Sequence, residues 1–387
     1  MSEGGAPEPP TITCPVCGRT VPEGRFCGAC GAHLDDAEGG SPSRHHAFAA
    51  EPGEPLIHPS VISTLFPHLP HRRTAPFRIA LLLSGFLLLV FGALGLTGPL
   101  IAVAALAVPL LYLLYLYEVE VYEDEPFLVI GATFAVGIVL GAIWANFAGR
   151  YETETLLQNA VAGAGATPDI VAGVVLPVVE QALMLGGALI VYIVAPRYDE
   201  ALDGFTFGAM AALGFTLAAV IVDLAPTLQL GLVSSDPASQ HTLVAVERGL
   251  LVPFLNASLT GLIAGALWLR RGRVRALPSL GWTTSLPVAI AAAVVIRAGL
   301  GMLNIFVTSS AVIAATYFGV TVAVLLAVRI AIHHMLLAEA VEAPIGPPTP
   351  CVHCHHLVPR MAFCPECGIA TRATPKTGVG RLHRVVR

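Results

Sequence analysis

The sequence predicts an all-α polytopic membrane protein with a small cysteine module at each end. Three observations lead there. The 387 residues are 55% hydrophobic and only 12% charged, with a mean hydropathy of +0.74, outside the range of soluble globular chains. Apolar runs long enough to cross a bilayer recur through the middle; about 20 residues at about 1.5 Å each suffice. All eight cysteines stand at the two ends, in two copies of one pattern. The net charge of −5 is modest and gives no reason to expect nucleic-acid binding. The first 70 residues are polar with no apolar signal-peptide core, so the first membrane helix is expected to serve as the insertion signal.

Residues 1–34 hold the first cysteine module, and 35–70, rich in Pro, Gly, Ser, Asp and His, read as a flexible linker. About eight membrane helices follow within 71–336. The first runs from Phe77 to Leu96, and a Thr97-Gly98-Pro99 turn leads to a second ending near Tyr117. After the acidic segment Glu118 to Glu125, Pro126 opens a third helix to about Ala148. A polar loop with Arg150, Glu152 and Glu154 precedes the fourth, Ile170 to Ala195. The fifth spans Gly204 to Leu224, the sixth Leu243 to Leu269, the seventh Leu286 to Phe306 and the eighth Ala311 to Ile332. Ala225–Val233 is apolar but too short to cross and reads as re-entrant or interfacial. Residues 337–350 read as a second linker, 351–370 as the second cysteine module and 371–387 as a basic tail.

Arginine placement sets the expected topology. Arg72, Arg73 and Arg78 stand at helix one, Arg197 between four and five, Arg270, Arg271, Arg273 and Arg275 between six and seven, and Arg329 near the end of eight. An even number of spans puts all of these on one side, which the positive-inside rule makes cytoplasmic. Both termini are then expected in the reducing cytoplasm of a multi-pass cell-membrane protein.

That compartment decides the cysteine chemistry. Cys14-x2-Cys17 is followed after nine residues by Cys27-x2-Cys30, and Cys351-x2-Cys354 after nine residues by Cys364-x2-Cys367. In a reducing milieu such pairs favour metal over disulfides, with redox dithiols as the alternative. Two Cys-x2-Cys knuckles supply the four thiolates of a tetrahedral zinc shell, and the segments resemble small zinc ribbons. Two structural zinc ions are therefore expected, because a closed four-cysteine shell leaves no open coordination position. His355 and His356 stand beside Cys354, but four cysteines suffice without them.

Polar residues inside apolar helices are expensive and mark candidate chemistry. Helix four carries Glu180 and Gln181, helix six Asn256 and helix seven Arg297; Asp223 ends helix five, and Glu247 with Arg248 begins helix six. A lone charge at mid-helix costs about 2.5–3.5 kcal/mol, so Glu180 is expected to pair with Arg297, with Gln181 and Asn256 completing the network. Asp223 and Arg248 are a second expected pair. Gly131, Gly137, Gly141, Gly186 and Gly187 read as close-packing positions.

YEVEVYEDEPFLVIGATFAVG (117–137), LPVVEQALM (176–184), LDGFTFGAMAALGFTLAAV (202–220) and NASLTGLIAGALW (256–268) together resemble the PrsW family of intramembrane proteases, in the glutamic-type CPBP superfamily. The resemblance covers about Tyr115 to Leu269 and implies a PrsW-like helical bundle. It places the family's first motif glutamate at Glu180, but its second at Gln181 and its lysine at Met184. The glutamate after Gly-Phe falls on Ala219, the asparagine beside it on Val220, and the histidine on Asn256. Hydrolysis needs a carboxylate supported by a second polar or basic group, and a metal needs several carboxylate or imidazole ligands. Only Glu180 remains, so the resemblance implies a vestigial catalytic centre.

The function expected is that of an inactive pseudoprotease acting as a membrane scaffold or binding protein, its ribbons recruiting partners. The alternatives are an active endopeptidase with Glu180 as general base, and a transporter or sensor, which no inverted repeat supports. The expected partners are membrane lipid and a second membrane protein or transmembrane peptide. The basic tail suits anionic lipid and lacks the aromatic interleaving of nucleic-acid binders.

Overall fold

The computed structural model describes residues 10–15, 17–34, 75–119, 127–162, 169–229, 243–244, 246–271, 284–342, 345–351, 353–369 and 371. The linker 35–70 and the tail beyond Thr371 lie outside the described residues, as does the stretch 230–233 expected to be re-entrant.

A hairpin of β1 (Thr11–Thr13) and β2 (Thr20–Pro22) opens the chain. The helices follow: α1 (Ala75–Ala93), α2 (Thr97–Val119), α3 (Phe127–Ala162), α4 (Leu176–Met184), α5 (Gly186–Val194), α6 (Ala201–Gln229), α7 (Val252–Arg271), α8 (Leu286–Phe306) and α9 (Ser310–Glu342). A second hairpin pairs β3 (Pro348–Pro350) with β4 (Leu357–Pro359). Among the described residues, six stretches are long and apolar enough to cross a membrane: Leu128–Tyr151, Val171–Val194, Ala201–Asp223, Glu247–Arg271, Leu286–Phe306 and Ser310–Ile332. Arg78–Ala93 forms a shorter apolar helix.

Several boundaries differ from the sequence reading. The first turn comes at Gly95, whose φ of 65° lets the chain reverse, while Thr97-Gly98-Pro99 opens α2 instead of forming the turn. Proline in a first helical turn forfeits no hydrogen bond, so that motif starts a helix as readily as it makes a turn. α3 runs through the expected polar loop to Ala162, because a helix leaving the bilayer needs no apolar residues and meets no breaker before Gly163. α6 likewise continues past Leu224 to Gln229. α9 reaches Glu342, and β3 lies in the segment read as a second linker.

The expected continuous fourth helix is divided. A π-helical turn, Val171–Val175, precedes α4, and the chain breaks at Leu185 before α5. Pro177 has no N–H to give Gly173, so the ladder slips and Leu176 donates to Val171 instead. The same device precedes α7, where Pro253 follows the π-helical turn Glu247–Leu251 and Val252 donates to Glu247. Gly173 leaves room for Met302 and Ile305 of α8, and Gly301 of α8 in turn abuts the Gly173 carbonyl.

α6 is the axis of the bundle: 78% of its apolar stretch is buried, against 67% for that of α7 and at most a third for the other four. α3 lies against one side of it with almost no side chain between the backbones. A Cβ on Gly137 would strike the Ala211 carbonyl, one on Gly141 the Phe215 carbonyl, and one on Gly214 the Phe134 carbonyl. Helices in lipid gain little from apolar burial, so contact this close supplies van der Waals and Cα–H···O attraction instead. Gly187 sits close to Thr133 and Ala211 and Gly186 to Leu140, whereas a Cβ on Gly131 would meet nothing among the described residues. On its other side α6 meets α7, where Gly208 abuts the Thr260 carbonyl.

Gly214→Val should therefore cost about 1–3 kcal/mol through overpacking and lower the thermal midpoint of detergent-solubilised protein. Gly131→Ala, with nothing in its way, should leave that midpoint unchanged or slightly raised.

Candidate functional site

The polar side chains buried in the helices meet at one place. The Arg297 guanidinium, on α8, uses all three of its nitrogens. Nη2 pairs with Glu180 Oε2 at 2.6 Å, Nη1 donates to Asn256 Oδ1 at 2.9 Å, and Nε donates to the Pro177 carbonyl at 3.4 Å. Arg297 thus ties α8 to α4 and α7. Asn256 passes the connection on, its Nδ2 donating to Thr216 Oγ1 of α6 at 2.9 Å. Gln181 does not join this chain directly; its Nε2 donates to Thr260 Oγ1 at 2.9 Å, and Thr260 Oγ1 faces Met184 Sδ at 3.9 Å. Gln181, Asn256, Thr216 and Thr260 are buried, while the Glu180 side chain keeps 25% of its surface exposed.

Thr216 and Thr260 were missed from the sequence. Thr260 stands four residues after Asn256 and so on the same helix face, which was a usable signal. Nothing local marks Thr216. Met184 and Ala219 lie in one apolar cluster with Ala212 and Phe215. Two positions that the resemblance assigns to charged groups thus belong to one apolar cluster.

Toward the opposite end of α6 from Ala201, Asp223 Oδ2 lies 3.7 Å from Arg248 Nη1 and Arg248 Nε 3.9 Å from Glu247 Oε1. Asp223 and Arg248 are each nearly half exposed, so this pair contributes little to stability. At the Ala201 end, Trp268 Nε1 donates to the Tyr198 carbonyl and Arg271 to that of Tyr192, with the Arg271 guanidinium over the Tyr192 ring at 4.6 Å.

Far from this cluster, each set of four cysteines converges. Sγ atoms of Cys14 and Cys30 are 3.7 Å apart, those of Cys17 and Cys27 3.8 Å, and those of Cys351 and Cys367, and of Cys354 and Cys364, also 3.8 Å. A regular tetrahedron of thiolates about 2.3 Å from one ion has edges of about 3.8 Å, whereas a disulfide needs about 2.05 Å. Each set can hold a metal ion. Every knuckle is built alike: Cys14, Cys27, Cys351 and Cys364 accept at their carbonyl from the residue four on and donate to the carbonyl five on. The residue four on takes a positive φ, being Gly18, Gly31 and Gly368 in three knuckles and His355, at 61°, in the fourth. His355 therefore occupies a turn position, and the four thiols close the site without it.

The thiols share protons unevenly. Hydrogen bonds from Cys17, Cys27 and Cys30 hold Cys14 far below the usual thiol range. Cys17 settles at about 7, raised by Cys14 but lowered more by Cys27 and Cys30. Burial chiefly pushes Cys367 up to about 11. A divalent cation removes this competition by replacing the shared protons.

The two modules also touch. Phe26 donates to the Pro365 carbonyl and Phe363 to the Gly28 carbonyl, both at 2.9 Å. Met361 packs on Gly28, Pro365 on Gly24 and the Phe26 ring on Gly368. Met361 and Phe363 share one buried cluster with Cys14, Val21, Cys27 and Cys30.

A family model described as PrsW family intramembrane metalloprotease matches residues 125–332, more than half of the chain. The chain belongs to the PrsW family. No curated protein and no solved structure is found to match it. The matched region begins at Glu125 and ends near the close of the last apolar stretch, so both cysteine modules lie outside it.

The metal that the family description names does not fit this PrsW domain. Glu180 is the one carboxylate in the Arg297 cluster, Gln181 and Asn256 offer neutral amides, and Arg297 places a fixed cation between Glu180 and Asn256. Among the described residues, the groups of three or more potential ligands are the two cysteine sets alone.

Arg297→Ala should leave Glu180 without its partner and cost about 3–5 kcal/mol, read as a fall in thermal midpoint in detergent. Glu180→Leu combined with Arg297→Met should recover most of that loss. His355→Gly should leave the metal content per chain unchanged, checked by elemental analysis.

Proposed function

We propose that this PrsW-family protein is a non-catalytic membrane scaffold, its ancestral hydrolytic centre replaced by an internal ion pair. The observation that carries this reading is the Arg297 guanidinium, held between Glu180 and Asn256 at 2.6 and 2.9 Å. A general base must be free to take a proton from water. Here the Glu180 Oε2 that would receive that proton already faces the Arg297 guanidinium at 2.6 Å. The packing of Met184 against the cluster that holds Ala219 supports the same reading, since it supplies no second ionisable group. What persists is a capacity to bind. Glu180 keeps a quarter of its surface open, and Gln181 Oε1 is a buried acceptor with no partner among the described residues. Both suit a donor from a transmembrane segment or a lipid headgroup.

In this proposal the bundle crosses the membrane eight times, α1 and α2 adding two crossings to the six long apolar stretches. The contact between the terminal modules supports an even number of crossings, because it requires both ends of the chain on one side. Arg197, Arg270 and Arg271 gather at one end of the bundle, which supports a cytoplasmic assignment for that end. Each ribbon then holds one structural zinc in a reducing compartment, and the joined pair forms a platform for cytoplasmic partners.

Purified protein should carry close to two zinc ions per chain and should cleave membrane peptides no faster than Glu180→Gln. A peptide cut by the unmodified protein and left intact by Glu180→Gln would overturn the scaffold reading in favour of a peptidase.

A further inference from the structure

The contact between the two cysteine modules has an internal symmetry. Cys14, Cys17, Cys27 and Cys30 correspond to Cys351, Cys354, Cys364 and Cys367 at a constant offset of 337 residues. The same offset turns Phe26 into Phe363 and Gly28 into Pro365. It therefore turns the hydrogen bond from Phe26 to Pro365 into the one from Phe363 to Gly28. It also turns the packing of Pro365 on Gly24 into that of Gly28 on Met361. Two modules of one chain thus meet through one self-complementary patch, the arrangement of a twofold dimer.

The patch lies on the second knuckle of each module. Phe26 and Gly28 flank the ligand Cys27, and Phe363 and Pro365 flank the ligand Cys364. A four-cysteine module has too little apolar core to hold this shape alone, and its metal supplies the folding free energy. The donor and acceptor that one module offers are therefore in place only when its own knuckle is closed. Each module also buries part of the other, Phe363 being only 1% exposed.

We propose that the two four-cysteine sites form a single binuclear unit that loads and empties cooperatively, so that metal at one end of the chain stabilises metal at the other. This rests on the reading that both sites hold zinc. Coupling of this kind is reciprocal, and its usual strength is about 5–150-fold in affinity. Loss of metal at either site would part the two termini.

Native mass spectrometry of the full-length protein in detergent, titrated with a zinc chelator, tests it. Molecules with two metals and with none should dominate, and those with one should stay well under the half share that independent equal sites give at half-saturation. Gly24→Val keeps all eight cysteines but places a side chain against the Pro365 backbone. It should still bind two metals without chelator, yet bring the one-metal share at half-saturation up to the half that independent sites give. The double change Cys351→Ser and Cys354→Ser should make the remaining site at least ~5-fold easier to strip. A half share of one-metal molecules in the unmodified protein overturns the coupling, as does an unchanged share in Gly24→Val or unchanged resistance in the serine variant. Protein that binds no metal overturns the zinc reading itself, a separate result.

Discussion

The pairing of Arg297 with Glu180 is the constraint on which the membrane domain depends. The two charges face each other at 2.6 Å, and removing either would leave the other without its partner inside the bundle. The remaining guanidinium donors reach Asn256 and the Pro177 carbonyl, so one side chain ties α8 to α4 and α7. The Pro177 carbonyl is offered by the proline that displaced the ladder into the preceding π-helical turn. Gly301 lets α8 come near enough to that turn for the arginine to reach. Backbone irregularity, a small residue and an ion pair are therefore parts of one local solution.

This solution bears on how a PrsW-family frame accommodates departures from the motif pattern that the resemblance assigns. Replacing a histidine or a carboxylate by a neutral amide leaves a polar position that still needs a partner. Here Asn256 takes one from Arg297 and gives one to Thr216, while Gln181 gives one to Thr260. Where the resemblance assigns lysine and glutamate, Met184 and Ala219 lie within one apolar cluster. Gln181, Met184, Ala219 and Asn256 thus each have neighbours of suitable polarity. The helices around α6 keep their spacing through Gly137, Gly141 and Gly214, whose role is steric and independent of catalysis.

The terminal modules obey a different physics. In each, four thiols converge where a metal ion can be held, and the two modules bury surface on each other. The two halves of the protein are thus linked through the bundle and again through the paired cysteine modules.

Much of this was legible in the sequence. The repeated cysteine spacing, the apolar stretches and the isolated Glu180 and Arg297 are properties of residue type and order, and type alone sets the cost of a buried charge or an unfilled thiolate shell. That is why the ion pair could be anticipated without coordinates. Tertiary structure decided the rest. The helix break at Leu185, the partners Thr216 and Thr260, the lack of a described neighbour at Gly131 and the meeting of Phe26 with Pro365 depend on how rigid elements rotate and approach. No local pattern encodes those angles, because they arise from the simultaneous packing of helices far apart in the chain.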